Sequence, residues 1–123
     1  LPIHPRTAKF MDEQGLITAM KNVKLVAPLP FLDMIRLEQA ARTIVTDSGG
    51  VQKEAFFYEV PCVTIRDETE WTETVGLGWN RLVDADRTKI VTAVRGACRP
   101  SGAQARPYGD GSASKAIIER MLG

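Results

Sequence analysis

Residues 46–61 read "TDSGGVQKEAFFYEVP", and the parsing of that stretch decides the fold. Its first two residues close the β-branched run "TIVTD" (43–47), which has the length and residue types of a strand. Two glycines follow Ser48, and then "VQKEAFFYE" (51–59) has the length of a short helix. "PCVTIRD" (61–67) is β-branched again and predicts a second strand. Strand, glycine turn, helix and strand make one βαβ unit.

Working outward, the same alternation repeats. "LPIH" (1–4) is a short apolar stretch closed by Pro5 and reads as a first strand. "TAKFMDEQGLITAM" (7–20) carries a helical pattern interrupted at Gly15. "VKLVAPLP" (23–30) reads as a buried strand that runs into a proline-bounded loop. "FLDMIRLEQAAR" (31–42) is a helix by the spacing of Phe31, Met34, Ile35 and Leu37. "NRLVD" (80–84) is a further brief strand, "DRTKIVTAVRGAC" (86–98) a helix through Ile90, Val91 and Val94, and "SASKAIIERML" (112–122) a last helix with a serine start. Strands of this length alternating with such helices imply right-handed crossovers. The fold class is α/β, a doubly wound parallel sheet covered on both faces. The strand cores are read as continuous apolar runs without period-two alternation. The segment "RPSGAQARPYGDGSAS" (99–114) is read as a loop leading to the last helix, and its arginines, with Arg95, as solvated.

Length and composition set bounds. At 123 residues, 44% hydrophobic and 25% charged, the chain fits one compact domain or a piece of one. The opening "LPIHP", without an initiator Met, is expected to belong to a strand already under way, and hence to a fragment. Sixteen basic against fifteen acidic residues leave a formal charge of +1, so no sequence-wide field draws nucleic acid or an anionic membrane. Any bound anion must be met locally. Cys62 and Cys98 have no ligand-forming neighbours, which fits free thiols in a reducing compartment, and the cytoplasm is the expected location. No run has the length of a membrane span.

In a parallel sheet, ligands sit beyond the carboxyl ends of the strands, where the next helices begin. Ser48 lies at such a junction. A helix start offers unpaired N–H groups and the positive end of the helix dipole, and glycine lets a phosphate approach that backbone. Ser48 adds a hydroxyl, and Glu54, more than a turn along, can accept sugar hydroxyls of a nucleotide whose phosphates lie at the helix start. The plainer alternative is that Asp47 or Ser48 merely caps the helix. The motif lacks the Lys-Ser/Thr of a P-loop and the third glycine of a dinucleotide fingerprint, so neither ATP nor NAD is favoured. Thr46 replaces the first glycine of a nucleophile elbow and the sole histidine is His4, which argues against a serine nucleophile. "RDETEWTE" (66–73) follows a predicted strand and projects to the same edge. Its Arg66 can fork onto a phosphate or carboxylate. His4 and Arg6 end the first predicted strand on that edge, and the "PLP" turn (28–30) is placed to read a flat base.

Taken together, "PIHPRT", "PLPFLDMIRL", "TDSGGVQKEA", "PCVTIRDETEWTETV", "GWNRLV" and "PYGDGSAS" resemble, in order and spacing, the non-hydrolysing UDP-N-acetylglucosamine 2-epimerases. The likeness runs nearly end to end and is to the C-terminal half of that family. It implies that residues 1–123 are a single, partial UDP-binding domain, the Rossmann-like C-terminal half of a two-domain GT-B architecture. It implies no metal and no cofactor. In this family UDP leaves C1 as the C2 proton is removed, giving a 2-acetamidoglucal to which UDP returns after reprotonation on the other face. The carboxylates for that step belong, by the resemblance, to an N-terminal domain absent here, so no catalytic residue is expected in this chain. Ser48, Gly49 and Gly50 are then expected at the diphosphate, Glu54 at the ribose, the segment of Leu32 and Met34 near the uracil, and His4 and Arg66 facing the diphosphate or sugar. The partners implied are a UDP-sugar, the missing N-terminal domain and, in the full-length form, a second copy in a homodimer. Neither nucleic acid nor membrane is expected as a partner. "HPRT" stands where many bacterial members have His-x-Asn-Pro, and Trp71 stands where the residue is often basic. Both departures lie near the sugar, and a relative acting on a UDP-diacetamido-glucuronate shares the broad pattern. A GT-B glycosyltransferase and a binding module without activity are the other readings.

Overall fold

The computed structural model describes residues 1–101 and 105–123. The part of the predicted loop at 102–104 lies outside the described residues. The chain separates into two compact units, Leu1–Ala40 and Ala41–Gly123.

In the first unit, helix α1 spans Pro5–Glu13 and starts as its sequence directs. Pro5 takes the first helical position, where a missing N–H costs nothing, and the His4 ring accepts the Arg6 N–H. The helix ends at Gln14, and Gly15 follows with φ +65, a conformation glycine adopts without strain. A single 3-10 turn, Ile17–Ala19, comes next, and helix α2 spans Phe31–Gln39. The two predicted strands of this unit shrink to one parallel bridge, Pro2 with Val26, flanked by the bonds Ile3 N–H to Val26 O and Val26 N–H to Leu1 O. Proline explains the shortfall: the next rungs of the ladder would need the N–H groups of Pro28 and Pro5, and neither has one.

The second unit holds the sheet. Strands β1 (Ile44–Thr46), β2 (Cys62–Thr64) and β3 (Asn80–Leu82) lie side by side in that order, all parallel. Ile44 pairs with Cys62 and Cys62 with Asn80. Helix α3 (Gly49–Phe57) joins β1 to β2, the short helix α4 (Thr72–Gly76) precedes β3, and α5 (Arg87–Arg95) and α6 (Ala113–Leu122) follow. Asp86 caps α5 by accepting the Lys89 N–H, and this bond holds the Asp86 carboxyl below its ordinary range.

Adjacent residues of a strand point to opposite faces, and β2 shows what covers each. Cys62 packs with Ile44, Val60 and Ala55 of α3, whereas Val63 packs with Val83 and Ala93 of α5. Helices therefore cover both faces of the central strand, as a doubly wound sheet requires. The expectation of strands buried along their whole length holds only for β2. In β1 and β3 one residue in three is buried, and Val45 is 45% exposed. These two strands are the outer ones, and on the α5 face cover is complete only at the centre. On the α3 face the core is partly polar: Thr64 donates to Asn80 Oδ1 at 2.7 Å, and Cys62 Sγ lies 3.7 Å from the Thr64 hydroxyl. Since the Thr64 proton is committed to Asn80, the thiol is the donor to Thr64.

Two outcomes follow. Val63→Ala and Val45→Ala alter register neighbours on one face, yet only Val63 is buried. In urea unfolding the first is expected to cost about 2 kcal/mol and the second less than about 0.5 kcal/mol. Burial pushes the Cys62 thiol up to about 11. The folded state therefore keeps a proton that the unfolded chain releases from the ordinary value of 9.0, so the Cys62 contribution to stability falls as pH rises from there towards 11. In native protein at pH 8 a thiol reagent is expected to label exposed Cys98 and spare Cys62, and to label both in denaturant.

Candidate functional site

Parallel register brings the ends of β1 and β2 to one edge of the second unit, so the residues after Thr46 and after Thr64 meet there. The Thr46 hydroxyl accepts the Ser48 N–H at 3.0 Å, which turns the chain out of the strand. Ser48 occupies the N-cap position of α3, and the first helical bond runs from Gln52 N–H to Ser48 O. Its hydroxyl makes no capping bond, and no side chain among the described residues caps this helix. The capping alternative therefore fails. The N–H groups of Gly49, Gly50 and Val51 are left at the positive end of the helix without a protein acceptor among the described residues.

The glycines are not explained by backbone strain, since neither has a positive φ. A Cβ on Gly50 would meet only the Ser48 hydroxyl, at 3.9 Å, so the fold itself has no need of glycine there. A Cβ on Gly49 would run into Glu70 Oε1. At this turn the space beside Gly50 is open, and that beside Gly49 is taken by the Glu70 carboxylate.

The loop after β2 is stapled to the first turn of α3 at two points. Trp71 Nε1 donates to Gly49 O at 2.8 Å, and the Thr69 hydroxyl donates to Gln52 Oε1 at 2.6 Å. Thr69 in turn accepts the Trp71 N–H at 3.1 Å. Gln52 is completely buried, and its Oε1 also accepts from Asn80 Nδ2 at 3.2 Å, which links helix, loop and β3. Its Nε2 has no partner among the described residues. In this loop Arg66 pairs with Glu70 at 3.3 Å, with both side chains partly exposed.

Of the residues expected from sequence, the structure brings Ser48, Gly49, Gly50 and Arg66 to this one edge. Glu54 is half-buried further along α3. His4, Leu32 and Met34 belong to the other unit. His4 caps α1 through Nδ1, which places the proton of the neutral ring on Nε2. Leu32 is exposed and Met34 half-buried in α2. Gln52, Thr69 and Asn80, which position the loop, were not foreseen. The available signal was a glutamine between Val51 and Ala55, on the side of α3 that had to be core.

Beside the staples lies an aromatic cluster. The Lys53 ammonium stands 4.2 Å from the centre of the Trp71 ring and 4.6 Å from that of Tyr108. The Tyr108 hydroxyl donates to Glu73, and its pKa is raised by burial and then by the Glu73 charge. A cavity of about 400 Å³ lined by Phe56, Phe57, Arg106, Tyr108 and Asp110 contains none of the expected site residues. No helix among the described residues is long and apolar enough to cross a membrane.

Residues 1–122 match the profile of the family described as UDP-N-acetylglucosamine 2-epimerase. A UDP-N-acetylglucosamine 2-epimerase homolog of Methanococcus maripaludis is 46% identical over 121 residues, covering 96% of this chain and 34% of the relative. A UDP-2,3-diacetamido-2,3-dideoxy-D-glucuronate 2-epimerase of Pseudomonas aeruginosa is 45% identical over 122 residues, covering 98% of this chain and 34% of that one. Two structures of the UDP-GlcNAc 2-epimerase from Methanocaldococcus jannaschii, one in complex with UDP-GlcNAc and UDP, superpose with TM-scores of 0.83 and 0.77. Each is 37% identical and is covered to 34% by 98% of this chain. The chain thus spans about a third of the length of the relatives it matches. With its α/β parallel fold and a match over nearly its whole length, this chain belongs to the UDP-N-acetylglucosamine 2-epimerase family.

Proposed function

We propose that this chain is the UDP-gripping portion of an enzyme that interconverts UDP-N-acetylglucosamine and UDP-N-acetylmannosamine by eliminating and re-adding UDP. The observation that carries the reading is the uncapped start of α3: three amides without protein acceptors, next to two glycines, with Arg66 on the same edge. An anion with several acceptor oxygens suits that arrangement, and a diphosphate is such an anion.

On this reading Ser48, Gly49 and Gly50 hold the diphosphate and Glu54 accepts from the ribose. The start of α2, with Leu32 and Met34, lies near the uracil, and His4 and Arg66 face the diphosphate or the sugar. When the C1–O bond breaks, negative charge grows on the β-phosphate oxygen. Fixed amides and a guanidinium stabilise that charge more than the charge of the intact sugar nucleotide, which is how binding becomes rate. The carboxylates that move the C2 proton are assigned to the part of the relatives that this chain does not span, a domain N-terminal to this one. In this reading 1–123 is one nucleotide-binding domain, the C-terminal half of a GT-B pair. The full-length enzyme is a cytoplasmic homodimer. The 45% identity to the Pseudomonas aeruginosa enzyme supports a second reading, in which the sugar is a UDP-diacetamido-glucuronate and the grip is the same.

Two experiments test this. Gly50→Ala places a methyl where the protein itself has room and where alanine favours helix. It is expected to leave the urea midpoint unchanged or raise it, while weakening UDP binding in calorimetry about tenfold, the worth of one charge-assisted hydrogen bond. Unchanged affinity for UDP would remove the diphosphate from this turn. In the full-length protein, UDP-N-acetylglucosamine in deuterated water is expected to gain deuterium at C2. Exchange seen only with the diacetamido-glucuronate would transfer the assignment to that sugar, and exchange with neither would leave a glycosyltransferase or a binding module.

A further inference from the structure

The staples that hold the loop after β2 also determine where Glu70 goes. It lies between Thr69, tied to Gln52, and Trp71, tied to Gly49, so its side chain is delivered to the mouth of α3. One carboxylate oxygen lies against Gly49, in the space a Cβ would need, and the other takes Arg66 at 3.3 Å. A negative group thus stands at the positive end of the helix. Even so, no bond from the α3 amides to this carboxylate is present among the described residues. The Glu70 side chain is 51% exposed, and a pair this open to water is held only weakly.

We propose that Glu70 is an internal anion that a phosphate-bearing ligand must displace from the start of α3, so that it selects ligands by charge and hands Arg66 to them. This deepens, and rests on, the diphosphate reading above. A ligand whose phosphates reach Gly49 gains the amides and the guanidinium but must first separate Glu70 from Arg66. That cost is the same for every such ligand, and absent for one without phosphate. Phosphate-free nucleosides, carrying no charge, cannot move the carboxylate, which keeps Arg66 occupied until a suitable anion arrives. Glu70 is accordingly a specificity-determining residue, placed by Thr69 and Trp71.

The test uses the full-length protein, calorimetry and three probes: UDP, inorganic pyrophosphate and uridine. Glu70→Gln keeps the size of the side chain and an oxygen for Arg66 and removes the charge. Because Glu70 is exposed, the variant is expected to unfold in urea at the parent midpoint. Affinities for UDP and for pyrophosphate are expected to rise by a similar factor, about threefold to fivefold, with uridine unaffected. Unchanged or weaker UDP and pyrophosphate binding in the variant would overturn the proposal and leave the diphosphate reading standing. An equal gain for uridine would overturn it as well. Failure of both parent and variant to bind either UDP or pyrophosphate would overturn the diphosphate reading and this proposal with it.

Discussion

The side-chain oxygen of Gln52 is the point through which the second unit is organised. It accepts from Thr69 and from Asn80, and Asn80 in turn accepts from Thr64. One buried acceptor therefore joins the central strand, the outer strand β3, helix α3 and the loop after β2. Such networks are costly when incomplete: a buried donor without a partner costs about 1–3 kcal/mol, and Gln52 Nε2 is one among the described residues. An apolar residue would avoid that cost, but it would give Thr69 and Asn80 nothing to donate to. The loop would then lose one of its two attachments to α3, and Arg66 and Glu70 their fixed approach to Gly49.

Much of this was legible in the order of residue types. β-branched runs, a Ser-Gly-Gly turn and helix-length segments suffice for an α/β unit with a parallel sheet, because both strand composition and turn chemistry are local. The turn with free amides at the start of α3 was legible for the same reason, since glycines and serine at a helix start act through the backbone. Other features depend on contacts between distant residues. Leu1 to His4 has the composition of a strand, but a ladder needs donors on both chains and the next ones in register, Pro28 and Pro5, supply none. Gln52 and Asn80 look like surface residues by type, and only the converging hydrogen bonds show why they are buried. Helix α4 is five residues long and carries Glu73, so it leaves no apolar period to detect.

Trp71 illustrates how one side chain serves several contacts. Its indole N–H is used on Gly49 O, its ring face carries the Lys53 ammonium, and its ring stands nearly perpendicular to that of Tyr108. Tyr108 comes from far along the chain, so the aromatic cluster ties the segment before α6 to the same loop. A cation is thereby kept beside the helix start although position 71 itself is uncharged. The charge comes from α3 and is held over an aromatic face.

The stapled turn lies within one continuous stretch, from β1 through α3 and β2 to Trp71. Only its buttress, Asn80, lies further along. A feature assembled so locally can be inherited whole. Substitutions elsewhere in the chain can accumulate without disturbing it, because its contacts are made almost wholly within that stretch.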